Sequence, residues 1–149
     1  MSLNKFKLVA LLTIFTFVIA CKKNKVPPTS ERIKKVWTAK SVTENGTEVF
    51  KVGAASQIKN GYSTYKLDLS SPTAVSLRDV DGGTYKGTYT IPASNKLSLK
   101  GLIPEPTGTA GNLDFTVVFA SDTEMTLTST TPYPKTGNTT NVYVLTAGL

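Results

Sequence analysis

The stretch DGGTYKGTYTI, residues 81–91, combines a turn with a strand of alternating polarity. Tyr85, Tyr89 and Ile91 share one face, and the other face carries only polar side chains: Thr84, Lys86, Thr88 and Thr90. A period of two predicts a β-strand with one buried and one wet face. Asp81-Gly82-Gly83 supplies the residues of a tight turn before it.

Similar short runs recur along the chain, separated by Gly, Pro, Asn and Asp. A single helical turn at 29–35 is followed by nine predicted strands: 36–42, 47–52, 62–69, 74–78, 84–91, 96–102, 113–119, 124–130 and 141–146. Asn45-Gly46 is a strong two-residue hairpin signal. Short links favour antiparallel neighbours, so we expect an all-β, up-and-down meander of eight or nine strands. Such a meander closes into a barrel or forms a flattened β-sandwich.

Residues 1–20 are typical of a cleaved export signal. Lys5 and Lys7 precede an apolar run at 8–20, and its 13 residues are fewer than the ~20 of a membrane-spanning helix. The segment VIAC, residues 18–21, resembles the bacterial lipoprotein signal, with an aliphatic residue three positions before the cysteine and a small residue directly before it. The resemblance implies cleavage between Ala20 and Cys21 and a thioether-linked diacylglycerol on Cys21. An ordinary signal peptide with a chance cysteine is the alternative.

The positive charge is concentrated next to this cysteine. The chain has 17 Lys+Arg and 10 Asp+Glu, but residues 22–40 alone carry net +6 and residues 41–149 carry net −1. A nucleic-acid groove needs charge spread over the fold, so nucleic acid is excluded as a partner. We interpret residues 21–34 as a basic tether, extended by Pro27-Pro28, and residues 35–149 as the β-domain. The tether lysines attract anionic lipid or serve as a solvated spacer.

Catalytic constellations are missing from the sequence. The chain has no histidine and one cysteine, which excludes Ser-His and Cys-His catalysis, an internal disulfide and a Cys-rich zinc site. DVDGG, residues 79–83, lacks the further acidic positions of a calcium loop and is interpreted as a hairpin turn capped by aspartates. The carboxylates from Asp68 onward are assigned mostly to turns or outer faces. We therefore expect no enzyme activity, no metal and no cofactor.

Several segments of the β-domain resemble the lipocalin-like lipoproteins common in Bacteroidota. These are Trp37 near the start of the first strand, the NGT hairpin at 45–47, and DGGTYKGTYTI followed by SNKLSL at 94–99. The resemblance implies a lipocalin-like barrel anchored in the cell envelope. Surface-exported lipoproteins of that phylum carry an acidic stretch after the cysteine, whereas this chain has Lys22-Lys23-Asn24-Lys25. An outer-membrane protein facing the periplasm is therefore expected.

Seven aromatic residues at inward positions are the candidate ligand contacts: Trp37, Phe50, Tyr65, Tyr85, Tyr89, Phe115 and Phe119. They either line a pocket for a small apolar ligand or simply fill a small barrel. The first alternative describes a membrane-tethered binding module. The second describes a structural or interaction lipoprotein with a solid core, which contacts an envelope protein. Ligand identity and oligomeric state are left open.

Overall fold

A computed structural model describes residues 25–148. The expected signal segment and Cys21 lie outside this range. The elements are α1 (Thr29–Arg32), β1 (Val36–Glu44), β2 (Thr47–Lys51), a 3-10 helix (Asn60–Thr64), β3 (Lys66–Asp68), β4 (Ala74–Arg78), β5 (Thr84–Thr90), β6 (Lys96–Ile103), β7 (Leu113–Phe119), β8 (Glu124–Ser129), a 3-10 turn (Pro134–Thr136) and β9 (Asn141–Ala147). Within the described range, none of the helices has the length and apolar character needed to span a bilayer.

The strands form one antiparallel sheet that closes on itself. Neighbours follow the order β2-β1-β3-β4-β5-β6-β7-β8-β9, and β9 also pairs with β1. An eight-stranded barrel is therefore built from β1 and β3 to β9, with β2 as an additional strand. The predicted all-β meander is confirmed, and closure of the sheet decides against the flattened sandwich.

Two local features bend the barrel strands. In β1 the register against β9 shifts between Ala39 and Ser41, so the first half of β1 pairs with β3 and its second half with β2. In β5, Gly87 lies so close to β6 that a Cβ atom would be 2.5 Å from the carbonyl oxygen of Lys100. Only glycine fits this approach, which explains why the alternation of residues 84–91 is interrupted at this position.

The predicted strand at 62–69 is wrong in its first half. Residues 60–64 form a 3-10 helix, and only Lys66–Asp68 are extended. Gly61 in this helix touches the backbone of Val80, where a Cβ atom would be 2.0 Å from the carbonyl oxygen. The helix thus docks on the end of β4 and buries Tyr62 completely. This contact is between residues distant in sequence, so local alternation does not reveal it.

One end of the barrel, the helix end, is closed by α1. Ile33 and Trp37 are both fully buried, and Trp37 Nε1 donates a hydrogen bond of 2.9 Å to the carbonyl oxygen of Ile33. The Arg32 guanidinium lies 4.1 Å from the ring centroid of Phe119 and bonds Asp122 Oδ1 at 3.1 Å. The packed unit therefore begins at about residue 29, earlier than the boundary at residue 35 expected from the sequence.

The interior is filled by a single cluster of buried side chains. Its largest fully buried members include Trp37, Tyr62 and Tyr143. Within residues 25–148, every buried side-chain nitrogen or oxygen has a hydrogen-bond partner. One continuous core with satisfied polar groups is the property of an independent folding unit, and residues 29–148 have this property.

Candidate functional site

The seven candidate aromatic residues do not converge on one site. Trp37 and Phe119 pack together at the helix end, with ring centroids 6.1 Å apart. Tyr89 donates its hydroxyl proton to the carbonyl oxygens of Leu69 and Ser71, at 3.1 and 2.9 Å. These three residues close and brace the barrel; they do not line a pocket.

The other four lie in the opposite half of the molecule. Phe50 packs on Tyr62, and Tyr65 stacks on Tyr143 with centroids 5.0 Å apart and planes 22° apart. Tyr85 belongs to a polar cluster at the rim. Of the candidates, Phe115 is the one that lines the cavity at this end.

This cavity lies at the mouth of the barrel, which we define by turn 79–83, loop 104–112 and segment 130–140. Its volume is about 230 Å³. Aromatic rings and polar groups share its wall, in particular Phe115, Tyr133 and Tyr143 with Asn112, Asp114 and Ser129. A cavity that mixes rings with a few polar groups suits a compact ligand that carries both kinds of surface.

The cavity floor is held in place by a hydrogen-bond chain. Tyr143 is edge-on to Phe115, with centroids 6.1 Å apart, and its hydroxyl accepts from Asn141 Nδ2 at 3.0 Å. The backbone N–H of Asn141 donates to Ser129 Oγ at 2.9 Å. Burial raises the pKa of the Tyr143 hydroxyl well above its usual value. The floor is therefore neutral and fixed in orientation.

A cluster of charged and phenolic groups lies at the rim. Tyr133 donates its hydroxyl proton to Asp79 Oδ2 at 2.5 Å, and Asp79 is 1% exposed. Lys135 Nζ lies 2.7 Å from Asp81 Oδ2 and 3.7 Å from Asp79 Oδ2. The same ammonium group hydrogen-bonds the Tyr85 hydroxyl and lies 4.1 Å from the centroid of that ring.

Opposing influences act on the acids of this rim cluster. Burial raises the pKa of Asp79, although the bonds from Tyr133 and the Val80 N–H and the charge of Lys135 act in the other direction. For Asp81 burial is again the largest influence, but the bonds from Lys135, Tyr85 and Gly83 outweigh it and lower the pKa. Lys135 thus neutralises an ion-paired cluster that joins segment 130–140 to the β4–β5 turn.

A second buried carboxylate, Glu44, lies in the same half of the barrel. Its Oε1 accepts from the Tyr62 hydroxyl at 2.8 Å, and its Oε2 pairs with Lys59 Nζ at 2.5 Å. Burial raises the pKa of Tyr62 far above its usual range. All polar atoms of this group are paired within the protein, so it stabilises the 3-10 helix and offers no free ligand.

Asp79 lies at the expected turn, but its side chain is buried and does not face solvent. Val75, Leu77 and Asp79 alternate on one side of the chain and are all buried. Continuing the alternation of β4 by one step would have found Asp79. Tyr143 follows the same rule in β9, between buried Asn141 and Leu145. Tyr133 lies outside the strands and has no such signal.

The expected turn at 79–83 is confirmed in detail. Asp81 Oδ1 accepts from the Gly83 N–H at 2.9 Å, and Asp79 Oδ1 accepts from the Val80 N–H at 2.7 Å. Within the described residues, no group of three or more acidic or cysteine side chains is arranged to hold a metal ion. The aspartates of the turn cap backbone N–H groups and pair with Lys135.

Comparison with known proteins bears on the fold. The sequence matches no protein-family model and no curated protein. Among solved structures, the chain is similar to a lipocalin-like protein from Bacteroides uniformis, with a TM-score of 0.50 and 16% identity over 78% of this chain and 99% of that one. The fold is lipocalin-like. At 16% identity this similarity describes the fold and does not identify a ligand.

Proposed function

We propose that this protein is a lipid-anchored envelope lipoprotein whose barrel binds a compact small molecule at its mouth. The observation that carries the proposal is the cavity of about 230 Å³ between loop 104–112 and segment 130–140. Lipocalin-like barrels of this size are closed at one end and offer a ligand site at the other. Here α1 and Trp37 close the helix end, so the mouth is the available site.

The dimensions and lining of the cavity indicate the class of ligand. Drug-sized ligands occupy cavities of about 300–1,000 Å³, so this smaller site suits a molecule with one ring or a short chain. Phe115 and Tyr143 offer ring faces and edges, while Asn112 and Ser129 offer polar contacts. The small apolar ligand expected from the sequence is thereby refined to an amphipathic one, with a ring and a polar edge.

The position of the N-terminal segment supports an orientation relative to the bilayer. The described chain enters α1 at the helix end, opposite the mouth. Residues 21–28 span at most about 3.3–3.6 Å each when extended, so a lipidated Cys21 holds the helix end within ~30 Å of the membrane. The mouth then faces away from the bilayer, into the periplasm, where a soluble ligand has access.

The binding experiment uses residues 25–149 and a library of small ring compounds. Thermal-shift hits are measured by calorimetry on the parent, on Thr131→Trp and on Thr88→Trp. Thr131 lines the cavity and is exposed, so an indole there fills the site, whereas Thr88 lies on the outer face of β5. A ligand at the mouth raises the parent's midpoint and loses at least roughly tenfold in affinity in Thr131→Trp alone. Equal affinity in both variants, or no hit, contradicts the proposal.

The filled interior favours a second function, an interaction lipoprotein with a solid core. Buried side chains, Trp37 and Tyr62 among them, occupy the barrel itself and leave the ligand only the rim. Such a protein contacts an envelope partner through its loops or outer face. Cross-linking in the intact envelope, combined with an empty ligand screen, would favour this alternative.

A further inference from the structure

We propose that segment 130–140 is a hinged lid over the mouth cavity, fastened to the β4–β5 turn by the side chains of Tyr133 and Lys135. Regulation of ligand access by this lid rests on the proposed function. The opening of the lid itself does not require a ligand. Tyr133 and Pro134 form part of the cavity wall, so displacement of the segment opens the cavity to solvent.

The segment has an internal structure of its own, which allows it to move as a unit. Tyr133 and Thr139 form an antiparallel bridge, and the N–H of Asn138 donates to the carbonyl oxygen of Tyr133 at 3.0 Å. Within the segment, Thr136 Oγ1 donates to the Tyr133 carbonyl oxygen at 3.0 Å and lies 2.7 Å from Thr139 Oγ1. None of these bonds depends on the lid being seated on the barrel.

Both ends of the segment are fixed to neighbouring strands and turns by the backbone. The N–H of Thr130 donates to the carbonyl oxygen of Asp114 at 2.9 Å. At the other end, the N–H of Asn45 donates to the carbonyl oxygen of Thr140 at 3.0 Å, and the N–H of Thr140 donates to Asn45 Oδ1 at 2.8 Å. These two attachment points are the hinges.

Between the hinges, side chains provide the polar contacts to the β4–β5 turn. Tyr133 bonds the buried carboxylate of Asp79, and Lys135 bridges Asp81, Asp79 and Tyr85. All of these partners lie within residues 79–85, so the β4–β5 turn and the start of β5 receive the bonds of Tyr133 and Lys135.

The lid also contacts Asn141, the first residue of β9, and loop 104–112. Thr139 Oγ1 donates to Asn141 Oδ1 at 2.6 Å, and Asn141 Nδ2 donates to Thr136 Oγ1 at 3.1 Å, so these bonds lie next to the hinge at Thr140. Pro134 lies against Gly108, where a Cβ atom would be 2.7 Å from Pro134 Cβ. Gly108 has φ of +73° and presents no side chain, so the ring of Pro134 slides over bare backbone. Such a seam resists separation weakly, so away from the hinge the closed state depends on the bonds of Tyr133 and Lys135.

Opening of the lid can be measured in the absence of ligand from the reactivity of a buried thiol. Ser129 is 9% exposed and lines the cavity. Residues 25–149 contain no cysteine, so Ser129→Cys places a single thiol behind the lid. Its reaction rate with an aromatic disulfide reagent is measured under native conditions in the parent background, in Lys135→Met and in Tyr133→Phe. Loss of a bond to a charged group should raise the rate roughly tenfold or more.

Two controls separate lid opening from general loosening. Thr88→Cys, exposed on the outer face of β5, should react at one rate in all backgrounds. Met125 is 0% exposed, so Met125→Ala weakens the core at the helix end. This substitution should leave the labelling rate of the Ser129→Cys thiol near that in the parent background. Hydrogen exchange at the non-proline amides of residues 131–139 compares the same substitutions in the protein that retains Ser129.

The outcomes distinguish the lid from the ligand. Equal labelling rates in the parent, Lys135→Met and Tyr133→Phe would contradict the lid proposal. An equal rise in the labelling rate of Met125→Ala would also contradict it. A rise in labelling rate confined to Lys135→Met and Tyr133→Phe, together with a ligand screen that gives no hit, supports the lid and contradicts the proposed function. Ligand binding at the mouth with unchanged labelling rates supports the proposed function and contradicts the lid.

Discussion

The side-chain amide of Gln57 pairs with the backbone of Lys51 as a neighbouring strand would. Gln57 Oε1 accepts from the Lys51 N–H at 2.9 Å, and Gln57 Nε2 donates to the Lys51 carbonyl oxygen at 2.5 Å. Further along β2, the N–H of Lys59 donates to the carbonyl oxygen of Val49 at 2.9 Å. The outer edge of the additional strand is thus occupied by the loop that follows it.

Replacing Gln57 with Ala should therefore increase self-association. The free N–H and carbonyl of Lys51 then offer an edge to a second chain, which is the usual route of strand-to-strand aggregation. Sedimentation equilibrium of residues 25–149 over a range of concentrations measures the effect, with Gln57→Glu as a control that keeps the acceptor. Identical association of Gln57→Ala and the parent would count against an edge-blocking role.

Trp37→Phe should destabilise the domain by about 1–3 kcal/mol, because a fully buried ring becomes smaller and the Ile33 carbonyl oxygen keeps only the Lys35 N–H as its donor. Urea unfolding of the two proteins gives the difference. Val118→Ala, at an exposed position on β7, serves as the control and should leave the free energy of unfolding within about 0.5 kcal/mol. An unchanged midpoint for Trp37→Phe would show that neither the smaller ring nor the lost indole bond lowers the stability of the domain.

Asp79→Asn should change how stability depends on pH. Because burial raises the pKa of Asp79 above its ordinary 3.8, the folded state holds the proton at pH values where the unfolded state releases it. The contribution of Asp79 to stability therefore falls as pH rises from 3.8 through the raised pKa. Chemical unfolding across this window should show the parent gaining on Asp79→Asn as pH falls. A constant or opposite difference would contradict the assignment.

Gly87→Ala should lower stability by about 1–3 kcal/mol, since the added methyl lies 2.5 Å from the carbonyl oxygen of Lys100. The neighbouring exposed position provides a matched control, Thr88→Ala, which touches no core. Thermal unfolding followed by circular dichroism compares the two. Equal midpoints would show that the β5–β6 register adjusts to accept the methyl group.

The anchor is tested in cells that express the full chain. Alkyne-tagged palmitate should label the parent, and Cys21→Ser should carry no label because it removes the only thiol in the chain. Lys22→Ala is the control, because it keeps the cysteine and the VIAC segment. Equal labelling of parent and Cys21→Ser would place the lipid elsewhere or exclude it.

Alternation of polarity predicted the barrel because each strand has one dry and one wet face. In β5, Tyr85 and Tyr89 are buried and Thr88 is exposed, as the pattern of residues 84–91 indicated. The nine predicted strands are all present within the described residues, with shifted ends. The register shift after Ala39 reverses which positions of β1 face inward, so Val42 and Glu44 are buried where uninterrupted alternation from Trp37 would expose them.

The candidate site was predicted less well than the fold. Phe115 lies in a strand and was found, whereas Tyr133 lies in a loop that folds back over the barrel and has no periodicity. The partner of Tyr133 is Asp79, 54 positions earlier in the chain. A contact of that separation depends on how two loops meet in space, which local patterns do not encode.

The pairing of the first barrel strand with the last determines when the molecule is complete. Thr38 lies opposite Thr146 across the seam, 108 positions further along the chain. Contacts of such long range form slowly, because much chain entropy is lost before they are made. Before β9 is available, β1 pairs only with β2 and β3 and the barrel has an open side. The native state therefore forms only after the final strand has been made.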